Sequence, residues 1–322
     1  MRRTLFALLA TLALAGRALA QDADRGDARV THNRDLVATT EWLSFYVDSA
    51  SVYVIHVGRS DSAFRAGHIP GAHFLPLSAV AVPVNGVPNE FPAPERMAAA
   101  FRTLGVGDEG RIVIYGDDAG LLAARAWVAL DLLGQGYHAA ILDGGLAKWR
   151  AEGRPVETAV RPVSPHPFTA AWRGDRVVAA AWVRAHLRDS TVQLVDARNP
   201  DLFGGVEPPC PASQPSCPQT PAARRGHIPG AANIWWMNLL ASAQNPVLRP
   251  MHELHEGLWV PSGADRPAVR TVVTYCHSGM QASFDYFVAR YIGYRDVRLY
   301  DGSMAEWIGL PPAQYPVRSD SN

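Results

Sequence analysis

Short runs of consecutive apolar residues alternate along this chain with longer segments in which apolar residues recur every three or four positions. Residues 112–115 (IVIY) and 271–275 (TVVTY) have the length and composition of buried strands. Residues 123–134 (AARAWVALDLLG) and 283–293 (SFDYFVARYIG) show helical spacing, and each segment ends at a glycine. Strands that alternate with helices predict an α/β fold, with a largely parallel sheet covered by helices on both faces.

The motifs of the first half of the chain return in the same order in the second half. Because order and spacing match, we interpret the chain as one unit used twice. Two copies are too few for a solenoid, so each copy is expected to form a domain. The first copy contains VIHVGRSDSAFRAGHIPGA (54–72), RIVIYGDDAG (111–120) and LDGGLAKW (142–149), and the second contains LVDARNPDLF (194–203), RRGHIPGA (224–231), TVVTYCHSGM (271–280) and YDGSMAEW (300–307).

The two predicted domains meet in a proline-rich segment. Residues 151–168 (AEGRPVETAVRPVSPHPF) lose the apolar periodicity of the flanking regions. We therefore expect the domains to cover residues 21–160 and 161–322. A length of 322 residues agrees with two domains, because single cores usually stop growing below this size.

The N-terminus has the pattern of a signal peptide over residues 1–20. Arg2 and Arg3 precede a short apolar run, and residues 18–20 (ALA) match the small-residue site at which signal peptidase cleaves. Maturation is expected before Gln21, which would place the protein in the periplasm or outside the cell. The alternative is an uncleaved N-terminal anchor. No later stretch is apolar enough to span a membrane, so we expect no membrane contact after cleavage.

Charge and composition argue against a nucleic-acid partner. Thirty basic residues balance 30 acidic ones, and there is no long block of like charge. A nucleic-acid groove or a polybasic membrane patch needs such a block. The expected partners are therefore small molecules.

One of the chain's three cysteines occupies a position suited to chemistry. Cys276 follows the predicted strand 271–275 and precedes a helix expected to begin near Gln281. Ligands of open α/β sheets bind at such strand ends, where the free N–H groups of a helix N-terminus favour an anion. The same N–H groups are expected to lower the pKa of the Cys276 thiol. A buried core cysteine is the alternative.

The spacing around Cys276 separates the possible cysteine chemistries. A phosphatase loop needs an arginine six positions later to grip phosphate, but that position is Ala282. A thioredoxin-type site needs a second cysteine at position 279, which is glycine. His68 or His227 could pair with the thiol as in papain, although neither lies in that family's local context. A persulfide carrier, in which amides hold a thiolate and a second sulfur atom, fits best.

Several motifs together resemble those of the rhodanese superfamily. They are the paired GHIPGA segments, the VDAR strand end, the C-x-x-G loop, and the DGG or DGS turn before a tryptophan. The tandem arrangement resembles the two-domain thiosulfate and 3-mercaptopyruvate sulfurtransferases, over essentially the whole chain after residue 20. In those families a cysteine of the C-terminal domain carries sulfane sulfur, and the N-terminal domain usually lacks the cysteine. Here Gly116 aligns with Cys276.

The resemblance implies a sulfurtransferase without a metal or cofactor. Cys276 would take sulfur from a small anionic donor and pass it to a thiophilic acceptor, such as cyanide, a thiol or a protein. Asp196 would support the site through hydrogen bonds to the residues around Cys276 rather than by contact with the donor. Arg198, which the first half matches with Arg59, is expected to be structural. The residues expected to surround the donor are those that follow Cys276, namely His277, Ser278, Gly279, Met280 and Gln281.

The sequence departs from the family at the expected donor site. The arginine that usually precedes the aromatic residue of the strand-end segment is Leu202 in this chain, with Arg224 or Arg225 as possible substitutes. The loop CHSGMQ also matches neither the thiosulfate nor the mercaptopyruvate pattern. The donor therefore stays open, and the alternative function is a non-catalytic sulfur carrier or binding module charged by a partner protein.

Cys210 and Cys217 flank a short segment of a proline-rich loop. In an oxidising compartment we expect them to form a disulfide, which would leave Cys276 free. Two free thiols are the alternative, and a zinc site is disfavoured because a second ligand pair is missing.

Overall fold

A computed structural model describes residues 33–206, 224–258 and 269–320 of the chain. The first half forms a five-stranded parallel sheet in the order β1-β7-β6-β2-β3, and β4 and β5 pair as an antiparallel hairpin. The strands are β1 (Val37–Ala38), β2 (Val52–Gly58), β3 (Ala72–Pro76), β4 (Val82–Val84), β5 (Val87–Glu90), β6 (Arg111–Gly116) and β7 (Ala139–Leu142). The helices are α1 (Thr40–Tyr46), α2 (Ser62–Ala66), α3 (Pro94–Thr103), α4 (Leu121–Leu132) and α5 (Gly145–Ala151).

The second half repeats this arrangement with four parallel strands in the order β11-β10-β8-β9. The strands are β8 (Val192–Asp196), β9 (Ala232–Asn233), β10 (Thr271–Tyr275) and β11 (Asp296–Leu299). The helices are α6 (Ala180–Ala185), α7 (Pro200–Gly204), α8 (Met280–Ile292) and α9 (Ser303–Trp307), and a π-helix covers Glu253–Leu258. The predicted α/β class and the doubling of the unit are confirmed.

The predicted strands and helices form because their apolar residues are buried on both sides of the sheets. All five residues of β10 are buried, as are all twelve of α4, which explains why neither shows polar alternation. In the parallel register Tyr115 lies opposite His56, and Tyr275 lies opposite Asp196; Gly116 and Cys276 directly follow these two tyrosines. Gly116 and Cys276 therefore occupy equivalent places at the carboxyl ends of central strands.

A single hydrophobic core joins the two halves. Helices α4 and α8 pack against each other, and the rings of Trp127 and Phe287 meet edge to face with centroids 5.0 Å apart. A further apolar cluster covers the outer face of each sheet. It surrounds Trp149 in the first half and Trp307 in the second. The two tryptophans are thus core residues, and each sheet has a face turned toward the other half.

The two GHIPGA turns are held by the same contacts in both halves. His68 stacks on Phe64 with centroids 3.9 Å apart, and its Nδ1 lies 2.9 Å from the Phe64 carbonyl oxygen. His227 stacks on Phe203 at 3.8 Å, and its Nδ1 lies 2.9 Å from the Phe203 carbonyl oxygen. Because both histidines are buried and one belongs to the half without a cysteine, these contacts support a scaffold role.

Two predicted features fall outside the described residues. The signal peptide over residues 1–20 and the Cys210–Cys217 pair both lie there. Among the residues the structure describes, no helix combines the length and the apolar character needed to cross a membrane.

Candidate active site

The catalytic candidate Cys276 lies between β10 and α8, at the carboxyl end of the second sheet. Its side chain is buried, with 1% of its surface exposed. The loop continues through Gly279, whose φ of +83° is in the left-handed region that favours glycine. A side chain at that position would also overlap the Asp301 carboxylate. Helix α8 begins at Met280, one residue before the expected start.

Backbone N–H groups surround the Cys276 sulfur as the sequence predicts. The amides of Ala282, Ser278 and Gln281 form hydrogen bonds to it. Donors that converge from a loop and the first turn of a helix form a concave site for a negative atom. The site can therefore hold a thiolate, or the outer sulfur of a persulfide, without a fixed cation.

The expected lowering of the thiol pKa is wrong for this structure. Burial raises the pKa of Cys276, and the amides of Ala282 and Ser278 only partly oppose that effect. The nearby Asp196 carboxylate raises the pKa further. The free-energy cost of removing the thiolate from water is larger here than the stabilisation that the amides provide. Burial of the sulfur therefore favours the neutral thiol over the thiolate.

Asp196 and Arg198 form a buried ion pair beside Cys276. The Nη2 of Arg198 lies 2.6 Å from Asp196 Oδ2 and also donates to the Gly226 carbonyl at 2.8 Å. Asp196 acts on Cys276 through its charge, and Arg198 balances that charge. The geometry agrees with the supporting role expected for Asp196, and it leaves Arg198 committed to its partner.

Ser303 anchors residues 276–279, the candidate catalytic loop, and was not predicted from the sequence. Its fully buried hydroxyl accepts hydrogen bonds from the N–H groups of Cys276 and Gly279, each at 3.1 Å, and donates to the Tyr300 carbonyl at 2.9 Å. Its φ is +52°, a value that disfavours serine, and the equivalent residue of the first half is Gly145, also at +52°. A signal was present, since DGG becomes DGS only in the half that carries the cysteine.

The carbonyl groups of the loop are fixed by the start of α9. The Met304 amide donates to the Cys276 carbonyl at 3.1 Å, and the Ala305 amide donates to the His277 carbonyl at 2.8 Å. The N–H groups of the loop therefore bond to Ser303, and its carbonyl groups bond to the amides of the next two residues.

The half without a cysteine contributes to the site through Arg125 on α4. Its guanidinium is fully buried and binds Asp301 through two contacts, of 2.6 Å and 2.9 Å. The same group donates to the carbonyls of Val80 and Asn89 and lies 3.4 Å from the centroid of the Phe91 ring. Asp301 in turn contacts Gly279 of the catalytic loop. The sequence signal for this residue was a single arginine in a helix whose only other charged residue is Asp131.

The β4–β5 hairpin of the first half reaches the catalytic loop directly. Asn89 Nδ2 donates to Ser278 Oγ at 2.8 Å, and the Phe91 amide donates to Asp301 Oδ2 at 2.8 Å. Glu90 lies between these two anchors. Burial, together with the charge of Asp301, raises the pKa of Glu90 to about 7. The hairpin was not predicted as part of the site, because nothing in its local sequence indicates which loop it covers.

The five residues expected to contact the donor differ in exposure. Ser278, Gly279 and Met280 are buried, whereas His277 and Gln281 are partly exposed. The structure thus places all five around Cys276, but their role toward a donor stays a prediction.

Arg224 cannot replace the missing anion-binding arginine in this arrangement. Its side chain is buried and donates to the carbonyls of Tyr315 and Trp307, both at 2.8 Å. Leu202 lies on α7, and its amide donates a hydrogen bond to Oδ1 of Asn199, the N-cap of that helix, at 2.9 Å. Arg225 is partly exposed and is the better candidate of the two arginines.

A family model and curated proteins match this chain over most of its length. The model described as a rhodanese-like domain matches residues 47–152 and 179–310. A 3-mercaptopyruvate sulfurtransferase of Escherichia coli is 29% identical, covering 83% of this chain and 92% of the relative. The sulfur carrier protein TtuD of Thermus thermophilus is 30% identical, covering 87% of this chain and 97% of the relative.

A solved structure shows the same fold. The crystal structure of SseA from Escherichia coli, a 3-mercaptopyruvate sulfurtransferase with the rhodanese fold, superposes with a TM-score of 0.67. The two chains are 26% identical, and the match covers 83% of this chain and 98% of the other.

Proposed function

The chain belongs to the family of rhodanese-like domain proteins, and on that premise we propose that it is a sulfurtransferase that works through a persulfide on Cys276. The observation that carries the proposal is the buried thiol held by three amides at a strand end, where the first half has Gly116. The proposed donor is a small anion of the thiosulfate or 3-mercaptopyruvate type. The acceptor is a thiophile such as cyanide, a thiol or a protein.

The proposed reaction begins with loss of the Cys276 proton and attack of the thiolate on the outer sulfur of the donor. With thiosulfate, the S–S bond of the donor breaks and its electron pair leaves with sulfite. With 3-mercaptopyruvate, the C–S bond breaks, and the enolate formed takes up the proton of the donor thiol to give pyruvate. The product on the protein is Cys–S–S⁻ in either case.

The amides around the sulfur stabilise this product more than the resting thiol. The persulfide anion accepts hydrogen bonds from groups that are already in place, so no reorganisation is needed when charge arrives. In the second half-reaction the acceptor attacks the outer sulfur, the S–S bond breaks, and the electron pair returns to Cys276 as thiolate. Ping-pong kinetics are the expected signature.

A sulfur carrier charged by a partner protein is the second candidate function. Two observations favour it, namely Leu202 in place of the usual arginine and the commitment of Arg224 to backbone carbonyls. A weak grip on a free anionic donor would make charging by another protein more effective than charging by the donor itself.

Mass spectrometry after incubation with thiosulfate or 3-mercaptopyruvate tests the proposal. We expect a gain of one sulfur atom on Cys276 and several turnovers when cyanide or a thiol is added. The Cys276→Ser variant should neither gain sulfur nor transfer it, while a Cys210→Ser/Cys217→Ser variant should behave like the wild type. Transfer by Cys276→Ser with any of the donors contradicts the proposal, and charging without turnover favours the carrier.

We also propose that the chain is exported and cleaved before Gln21. The motivation is the sequence pattern of residues 1–20, two arginines before a short apolar run and an ALA site. Fractionation of expressing bacteria, with the N-terminal mass measured on the periplasmic protein, tests this. A protein that keeps its first 20 residues contradicts it.

A further inference from the structure

Residues 315–320, which we call the strap, pair with the GHIPGA turn of the second half. The His227 amide donates to the Arg318 carbonyl at 2.8 Å, and the Arg318 amide donates to the His227 carbonyl at 2.9 Å, as in an antiparallel bridge. The two backbones approach so closely that a side chain at Gly226 would overlap the Arg318 carbonyl. Arg318 itself is exposed, so the pairing depends on the backbone of the strap.

The strap is anchored on both sides of this bridge. Before the bridge, the Trp307 indole N–H donates to the Pro316 carbonyl at 2.9 Å. After the bridge, the Ser319 hydroxyl donates to the Gly204 carbonyl at 2.9 Å, and the Asp320 amide donates to the same oxygen at 3.2 Å. Gly204 is the last residue of α7. The strap therefore holds the turn between a core tryptophan and α7.

The same turn is linked to the buried ion pair of Asp196 and Arg198. Arg198 Nη2 donates to Asp196 Oδ2 at 2.6 Å and to the Gly226 carbonyl at 2.8 Å. One peptide group joins Gly226 to His227. Its carbonyl accepts from Arg198, and its N–H donates to Arg318 on the strap. Movement of this peptide would therefore shift the guanidinium that balances Asp196.

Arg198 balances the charge of Asp196 next to the Cys276 sulfur. The Asp196 carboxylate raises the pKa of Cys276, and Arg198 and the thiol also act on each other through charge. Tyr275 and Asp285 are close enough to Asp196 to feel its charge, and burial raises the pKa of both, which favours their neutral forms. A displaced Arg198 would leave a carboxylate without its cation beside a thiol that must ionise.

The half without a cysteine has the same bridge but a different link. Glu157 exchanges two backbone hydrogen bonds of 2.9 Å with His68, the histidine of the first GHIPGA turn. The carbonyl of Gly67 in that turn accepts from Arg150 of α5 at 2.8 Å. Arg59, which aligns with the buried arginine of the second half, is exposed and pairs with an exposed carboxylate. Among the described residues, the bridge is therefore linked to a buried strand-end ion pair in the half that carries the cysteine.

We propose that the strap positions Arg198 against Asp196 and thereby controls how readily Cys276 reacts. Arg318 is a positioning residue in this scheme, because it acts through the peptide that holds Arg198. The inference rests on the proposed role of Cys276 as the nucleophile. Its test measures the reactivity of the thiol itself and does not require sulfur transfer.

The rate at which iodoacetamide alkylates Cys276 across a range of pH tests the proposal, in a Cys210→Ser/Cys217→Ser background that leaves one thiol. Arg318→Pro removes a backbone N–H of the bridge. It should raise the midpoint of the alkylation profile by about 0.5 pH unit or more, because the carboxylate next to the thiol loses its balancing charge. Below the midpoint, alkylation should be slower by about threefold or more.

Two further proteins separate this effect from a general loss of stability. Glu157→Pro removes the equivalent N–H in the other half, together with a carboxylate that accepts from the Gly71 amide. It should lower the free energy of unfolding at least as much as Arg318→Pro does, yet leave the alkylation profile unchanged. A chain that ends at Val317 lacks the bridge without a new proline, and it should show the same rise of the midpoint as Arg318→Pro.

The proposal is overturned if the folded Arg318→Pro protein or the folded shorter chain keeps the wild-type profile or shows a lower midpoint. It is also overturned if Glu157→Pro raises the midpoint as far as Arg318→Pro does. Failure of the proposed function would be seen separately, as a wild-type protein that is alkylated at Cys276 but gains no sulfur from thiosulfate or 3-mercaptopyruvate.

Discussion

The difference between serine and glycine at one position shows how a residue adapts a common scaffold to chemistry. Ser303 and Gly145 share the same positive φ, but only the serine has a Cβ, which is sterically strained in that region. The Ser303 hydroxyl offsets this strain by accepting hydrogen bonds from the N–H groups of Cys276 and Gly279. Where no nucleophile needs a fixed loop, glycine occupies the position without strain.

Two substitutions at Ser303 are expected to separate backbone strain from loop anchoring. Ser303→Ala and Ser303→Gly both lose the hydroxyl, so both should lower the rate of sulfur transfer to a similar degree. The glycine variant should unfold with a free energy higher than that of the alanine variant by about 1 kcal/mol, because it removes the Cβ. Urea denaturation and a transfer assay measure the two effects.

The matched control lies in the other half of the molecule. Gly145→Ala should cost about 1 kcal/mol of stability for the same steric reason, without changing sulfur transfer. Wild-type transfer by Ser303→Gly would show that the hydroxyl does not serve the loop.

At the scale of elements, a hairpin of one half closes over the loop of the other. The β4–β5 hairpin has few buried residues of its own, and its place is set by the contacts of Asn89 and Phe91 with the second half. Glu90 between them is held near other carboxyl groups, those of Asp301 and Glu306. The hairpin contact is therefore expected to depend on pH.

Ionisation of Glu90 should weaken the contact of the hairpin. Its pKa rises from 4.5 to about 7 on folding, so folding favours the protonated form. The stabilising contribution is complete below the unfolded pKa, declines as the pH rises, and is lost above about 7. The wild-type free energy of unfolding should therefore fall, relative to that of Glu90→Gln, between about pH 4.5 and pH 7.

Hydrogen exchange of residues 82–90 gives a local measure of the same effect. In the wild type, the exchange rates of these amides should rise with pH more steeply than the intrinsic chemical exchange rate does. In Glu90→Gln they should rise only as steeply as the intrinsic rate. Equal pH dependence of the two proteins would contradict the assignment of the effect to Glu90.

At the scale of the whole molecule, the two halves depend on each other. They share one hydrophobic core, and the buried Arg125–Asp301 ion pair crosses between them beside the catalytic loop. A buried ion pair adds little over a hydrophobic replacement, but the loss of one partner leaves the other as an uncompensated charge. The half without a cysteine thus contributes to the surroundings of Cys276.

Arg125→Ala is expected to destabilise the protein by about 3–5 kcal/mol and to reduce sulfur transfer. The physical reason is that Asp301 would keep its buried charge without a partner. Urea denaturation measures the loss of stability. The matched control is Arg161→Ala, which breaks a more exposed pair with Glu157 and should cost about 1 kcal/mol or less. Equal effects of the two substitutions would argue against an interdomain role for Arg125.

The sequence by itself determined the main strands and helices, the repeat and the candidate nucleophile. Apolar periodicity identifies β6, β10, α4 and α8, and the repeat isolates Cys276 against Gly116. These features depend on residues near each other in the chain or on a comparison of its halves, so local patterns report them. The expected amide cradle followed from the same local geometry.

Only the tertiary structure decided the surroundings of that nucleophile. Ser303, Asn89 and Arg125 come from distant parts of the chain, and no local pattern indicates which loop each of them reaches. The sign of the Cys276 pKa shift was also decided there, because it depends on how far water is excluded from the sulfur. Burial depends on how elements pack against each other. The sequence pattern therefore predicted the amides around the Cys276 sulfur, but it did not predict the desolvation that raises the pKa of the thiol more than those amides lower it.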